Sequence, residues 1–257
     1  MAAQDSGRTS PALSVHDGAK PRDEFPLTAW TRIKKVKDAT PSQSRHALAE
    51  LCDAYWRPVY AFIRRKGNDP HRAADLTQGF FSLLIEPGAL AAVAEGKGRF
   101  RSFLMAACTH YMSNQRTYER ALKRGGRQSP VSIDHFKGEE WLRLEPFHEL
   151  TPDRIFLREW ATTLLERVMA KLQAEAQRKG NARLFERIRP VLLGREASPS
   201  YAEIAADLGV SESRIKLAVH RYRRRYRLLL RDEIARTLDD PAEIEEEITT
   251  LIAALTA

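Results

Sequence analysis

The sequence predicts an all-α fold, built as two small helical domains joined by a flexible linker, and three observations carry that expectation. Apolar residues recur at steps of three and four along most of the chain, strand-like alternation of useful length is absent, and between Lys123 and Asp153 the periodicity stops. The interruption contains Gly125, Gly126, Pro130, Gly138, Pro146 and Pro152, residue types that end or kink helices. The predicted units are a disordered tail (1–26), a first helical domain (27–122), the linker (123–153), a second helical domain (154–236) and an acidic C-terminal helix (237–257).

Each helix has its own pattern. In the first, Leu48, Leu51, Cys52, Tyr55, Val59, Phe62 and Ile63 form a stripe that ends at Arg64, Arg65, Lys66 and Gly67. A second covers about His71 to Ile85, with Leu76, Phe80, Phe81 and Leu84 facing a core. The third sets Phe100, Phe103, Leu104, Ala107, Cys108 and Tyr111 on one face and His110, Ser113, Asn114, Thr117 and Arg120 on another. Helical pattern resumes at Ile155, Phe156, Trp160, Leu164, Leu165, Val168 and Leu172, and again from Leu184 to Leu192.

Composition narrows the function classes. The 257 residues hold 42 Lys plus Arg against 34 Asp plus Glu, with a pI near 9.6, so the expected partner is a polyanion. Nucleic acid leads, because no apolar run approaches the roughly 18 residues that span a bilayer. Residues 1–26 also lack the apolar stretch of a secretory signal. Two cysteines, Cys52 and Cys108, both within apolar helical patterns, fit a reducing cytoplasm. An enzyme is not expected: the chain has no Walker-type loop, HExxH, paired-cysteine metal spacing or nucleophile elbow. No catalytic residue, metal or cofactor is assigned.

The sharpest motif runs from Ser200 to Tyr226 and has the spacing of a helix-turn-helix. Ser200 caps a first helix, Ile204 and Leu208 supply its buried side, and Ala205 is small enough for a second helix to cross closely. Gly209 permits a left-handed turn, and Ser211 caps the second helix. There Ile215, Val219 and Tyr222 point inward, while Arg214, Lys216, His220, Arg221 and Arg224 face outward as a major groove requires. Base contacts are expected from Ser213, Arg214, Lys216, Leu217 and His220, and phosphate contacts from Arg223, Arg224, Arg225 and Arg227. The motif alone says only DNA binding; the alternative reading is a helix-turn-helix transcriptional regulator that acts as a dimer without polymerase, for which Trp160 to Leu172 could supply the self-association surface.

The front half adds a resemblance. The stretch Arg72-Ala-Ala-Asp-Leu-Thr-Gln-Gly-Phe-Phe81 resembles region 2.2 of the extracytoplasmic-function (ECF) sigma factors, and Gly98-Arg-Phe-Arg-Ser-Phe-Leu104 through Arg120 resembles their regions 2.3 and 2.4. The order of a region 2 helical bundle, a linker and a region 4 helix-turn-helix is similar too, over roughly Thr28 to Ile234. The resemblance implies a cytoplasmic factor, monomeric when free, that binds core RNA polymerase through the largest subunit's coiled coil and the flap, and recognises promoter DNA. Asp75, Gln78 and Phe81 would dock on polymerase. His110, Asn114, Gln115, Arg116 and Arg120 would capture the minus-10 strand, with Lys123 and Arg124 following phosphates, and Ser213, Arg214, Lys216, Leu217, His220, Arg221 and Arg224 would read the minus-35 element.

Two departures from the family pattern generate expectations. Region 2.2 is poor in acids here, with Arg72, Ala74, Thr77 and Gly79 around Asp75. A phosphate on Thr77 would add about −1.5 to −2 charges, so a serine/threonine kinase is an expected partner and Thr77 the candidate phosphosite. At the C-terminus, Asp239, Asp240, Glu243, Glu245, Glu246 and Glu247 precede Ile248, Leu251, Ile252 and Leu255 without a base among them. This acidic helix either folds onto the basic surface of the second domain and restrains DNA binding, or caps that domain structurally.

Overall fold

The computed structural model describes residues 41–85, 99–124, 150–195, 197–238 and 240–256, with the side chains of 41–51, 85 and 122–124 outside that description. The expected tail, nearly all of the linker, Asp239 and the side chains of Leu48, Leu51, Lys123 and Arg124 therefore lie outside the described residues. The described residues are mostly helical and contain no strand. The helices are α1 (Pro41–Arg65), α2 (Pro70–Ile85), α3 (Phe100–Arg124), α4 (Pro152–Arg178), α5 (Ala182–Leu192), α6 (Tyr201–Leu208), α7 (Glu212–Ala235) and, after a 3-10 turn at Pro241–Glu243, α8 (Ile244–Thr256). None of the described helices is long and apolar enough to cross a membrane.

Local chemistry explains the boundaries. Helix α1 stops at Gly67, which takes a positive φ of 88°, and the Asn68 side chain donates to the carbonyl of Ile63 at 2.8 Å. Asp69 then caps α2 by accepting from the Arg72 amide at 2.9 Å, which also holds its carboxyl below the usual range. Thr151 caps α4 with Pro152 in the first turn, and the Arg65 guanidinium donates to the Leu150 carbonyl at 2.7 Å, tying the start of α4 to the end of α1.

The packing does not divide where the linker predicts. Helix α4, assigned to the second domain, lays its N-terminal half against α1, so Phe156, Trp160, Ala161 and Leu164 enter the same core as Tyr55, Phe62, Phe80, Phe100 and Leu104. The Tyr55 ring stacks on Trp160 with centroids 6.5 Å apart, and Phe62 meets Phe156 edge-on at 6.2 Å. Phe62 and Phe156 are both buried, and burial of each is worth roughly 1.5–3 kcal/mol relative to exposure in water. An ion pair between Arg57 and the buried Glu159, 2.7 Å long, crosses it as well.

The C-terminal half of α4 serves a second core, where Val168, Met169, Leu172 and Ala176 meet Phe185 and Leu229. A third, under the helix-turn-helix, holds Ile188, Ile204, Ala205, Ile215 and Val219. The far end of α7 returns Ile234 and Ala235 to the first core, where Leu238, Ile244 and Leu251 join them.

One close approach fixes how α2 meets α3. A Cβ on Gly79 would lie 2.2 Å from the Tyr111 hydroxyl and 3.3 Å from its Cζ, while the Tyr111 ring leans on Phe80 at 5.9 Å. Gly79→Ala should destabilise the protein by about 1–3 kcal/mol despite the better helix propensity of alanine, because the ring has to move. Adding Tyr111→Phe removes the clashing oxygen and should recover most of that loss, which urea unfolding of the two single variants and the double variant measures.

Candidate nucleic-acid interface

The helix-turn-helix has the predicted mechanics. Ser200 accepts from the Glu203 amide at 3.2 Å while the Glu203 carboxylate accepts from the Ser200 amide at 2.7 Å, a reciprocal cap that also holds that carboxyl below its usual range. Gly209 sits at φ 64°, ψ 37°, and the Val210 amide closes the turn on the Ala205 carbonyl at 3.0 Å. A Cβ there would meet nothing within 4 Å, so the constraint at Gly209 is backbone conformation and not space. Ser211 accepts from the Arg214 amide at 3.3 Å and starts α7.

From that start, Ile215 and Val219 are buried, while Ser213, Arg214, Lys216, Leu217, His220, Arg221 and Arg224 are all exposed. The seven residues expected to read the minus-35 element therefore share the open side of one helix. Several cations on α7 are engaged within the protein: the Arg223 guanidinium, expected at a phosphate, donates to the Val191 carbonyl at 3.4 Å, and Arg231 pairs with Glu245. Lys216 pairs with Glu212 one turn earlier at 2.7 Å, which raises its ammonium pKa. Arg225 is bound in bidentate fashion by Glu175 of α4, at 2.9 and 2.5 Å, which holds the Glu175 carboxyl low. Arg225 is thus a brace between α7 and α4, a correction to its expected place among the phosphate contacts.

Beside the recognition surface lies a groove of about 420 Å³ between α4, α5 and α7. Leu172, Ala176 and Leu184 line it together with Arg214, Leu217 and Arg221. Leu217, 49 % exposed, is thereby an apolar contact point on an otherwise cationic face.

On α3, His110, Asn114, Arg116 and Arg120 are exposed and Gln115 is half-buried, turned toward the core. At 100° per residue His110, Ser113, Asn114 and Thr117 fall on one outward strip, with Arg120 at its edge and Arg116 further round. Tyr118, 61 % exposed and one turn beyond Asn114, is an aromatic platform that the sequence reading passed over. Its signal was its place on the polar side of an amphipathic helix, where a tyrosine has no core to join. Phe100 is buried and Phe103 half-buried in the core, which removes both as stacking surfaces.

The set on α2 expected to dock on polymerase is divided. Asp75 and Gln78 are exposed, whereas Phe81 is buried and stacked on Trp56 at 5.7 Å. Phe81 is consequently a core residue in this conformation. Thr77 needs a stronger correction: it is fully buried, and its hydroxyl donates to the Ala73 carbonyl at 2.7 Å. A kinase requires an exposed, extended acceptor, and a dianionic phosphate in that space would face an uncompensated burial cost.

The acidic C-terminal helix meets neither of its expected partners alone. Its carboxylates face Arg99 and Arg101 at the start of α3, and Glu245 pairs with Arg231 near the end of α7, away from the exposed recognition residues. Comparison of the chain with protein-family models, curated proteins and solved structures found no match.

Gly209→Ala should cost about 1–2 kcal/mol, the penalty for a side chain in the left-handed region, and Ser200→Ala about 1 kcal/mol through loss of the cap. Thermal or urea unfolding followed by far-UV circular dichroism measures both.

Proposed function

We propose that this chain is a transcription initiation factor of the ECF sigma type, which joins core RNA polymerase and brings it to promoters through two DNA-facing helices. The observation that carries the DNA-binding part is the recognition half of α7. Seven side chains, polar or basic apart from Leu217, stand exposed on a helix whose opposite side is locked by Ile215 and Val219 into a capped helix-turn-helix. Support for the polymerase part comes from the resemblance of α2 and α3 to sigma region 2, and from the polar strip of α3 with Asn114, His110 and the exposed Tyr118. Aromatic and amide groups on such a strip suit unstacked bases, which bind by stacking and edge hydrogen bonds. The mechanism carries no phosphorylation step at Thr77, given its burial.

A regulator that binds duplex DNA without polymerase is the second reading; the core shared by α1 and α4 suits one body, but it buries Trp160, Leu164, Val168 and Leu172, which corrects the expectation that Trp160 to Leu172 offer a self-association surface. A single body with one helix-turn-helix needs no second promoter contact. The deciding experiment is reconstitution: the purified chain is mixed with core polymerase, and transcript starts from a genomic template are sequenced. Specific initiation that depends on the chain supports the sigma reading. Duplex binding with no polymerase association and no directed transcripts supports the regulator.

Under either reading Arg214 and Arg224 separate into two kinds of contact. Arg214→Ala should lose about 1–3 kcal/mol of affinity for the preferred duplex and relax discrimination at one base position. Arg224→Ala should weaken all duplexes alike and lower the slope of log affinity against log salt by about 1. Anisotropy titrations on specific and random duplexes across a salt series distinguish the two.

A further inference from the structure

We propose that the C-terminal helix is a latch with Glu247 as its bolt, holding the chain in a closed form, and that an open form exists in which α4 parts from α1. The latch is independent of whether the chain serves polymerase.

Glu247 is fully buried and gives both carboxylate oxygens to Arg101, at 2.6 and 3.0 Å, while Arg99 reaches it at 3.2 Å. Arg99 also meets Glu246 at 2.5 Å and Glu243 at 3.5 Å. Arg101 is itself buried, and its guanidinium lies over the Trp160 ring, 5.8 Å from the centroid. Backbone joins in, since the Phe100 amide donates to the Thr237 carbonyl at 3.3 Å. These contacts bind the start of α3, in the front domain, to a helix that follows directly from α7, in the rear domain.

The placement matters because it lies over the seam. Leu238, Ile244 and Leu251 join the core that contains Tyr55 and Trp160, the two rings that close α1 on α4. With α8 removed, the core around those two rings loses Ile244 and Leu251, and the buried Arg101 guanidinium loses its carboxylate. A buried ion pair contributes little net stability when intact but is strongly destabilising when one partner alone is lost, because the other charge stays desolvated. That property suits a bolt: closure tolerates it, and withdrawing the carboxylate drives the seam apart. Outside the seam the helices from the second half of α4 to α7 keep two cores of their own, under Val168 and Leu172 and under Ile204 and Ile215, so opening the seam leaves both in place.

The test measures the distance between spin labels on Ala106→Cys, in α3, and Ala174→Cys, in the rear half of α4, both exposed positions, with Cys52→Ala and Cys108→Ala in the background. Full-length protein should give one narrow distribution. Glu247→Gln and a chain ending at Leu238 should each show a second, longer population, larger than any in the parent by about tenfold or more. A synthetic peptide of residues 239–257 added to the shortened chain should restore the narrow distribution. A second label pair within the rear domain, Ala174→Cys with Ala202→Cys, should not change. A distribution for Glu247→Gln that superimposes on the parent overturns the latch. Broadening of the rear-domain pair overturns it equally, because Glu247 would then support the whole fold and not a seam.

Discussion

Everything in this molecule hangs from the burial of one helix at both ends. Helix α4, 27 residues and therefore about 40 Å long, carries Phe156 and Trp160 into the front core and Leu172 and Ala176 into the rear one. Trp160 is the tightest point: Tyr55 stacks on it from α1, Arg101 lies over its face from α3, and Leu238 and Ile244 join its core from the C-terminal segment. A fully buried indole with cation and aromatic neighbours resists displacement, so the orientation of the helix-turn-helix relative to α3 is set by how firmly this end of α4 is held.

The helices were legible in the sequence and their grouping was not. Periodicity marks α1, α2 and α3, and Gly67 and Gly209 mark turns, because those signals are local and each residue acts within a few positions of itself; the caps at Asn68 and Asp69 emerged only with the structure. Helix α4 illustrates the limit. Its buried residues Ile155, Phe156, Glu159, Trp160, Ala161, Thr163 and Leu164 cover more than one face, as suits a helix gripped from several sides. Periodicity says that such a helix is enclosed and is silent about what encloses it. The proline- and glycine-rich stretch before it invited a division into two bodies, yet a covalent linker constrains sequence distance and leaves the packing partner of Trp160 free.

The same asymmetry governs the sites. Exposure of the recognition residues followed from the spacing of Ile215 and Val219, since the inward positions of a helix determine the outward ones. Thr77 resisted this logic because α2 carries apolar residues on more than one side; at Phe81 periodicity pointed to the core, and family likeness alone placed the ring outward where packing places it inward. Charge was least legible of all. A run of arginines reads as uniformly cationic, but Arg225 is consumed by Glu175, 50 positions away, and Arg101 by Glu247 at a separation of 146. Only three-dimensional pairing separates cations that brace the fold from those that remain for a phosphate.

That sorting bears on why a basic protein carries an acidic terminus. If the acids of α8 served to neutralise the DNA-reading surface, their partners would be the exposed residues of α7's first half. Their partners are instead Arg99, Arg101 and Arg231, none of which lies among the recognition residues. The acidic helix thus leaves the cationic face intact and places its one buried carboxylate, Glu247, beside the core that joins α1 to α4, where desolvation makes that charge count for more than it would in water. Under the proposed function, a control placed there would act on the relation between the two DNA-facing helices and would spare the affinity of either one.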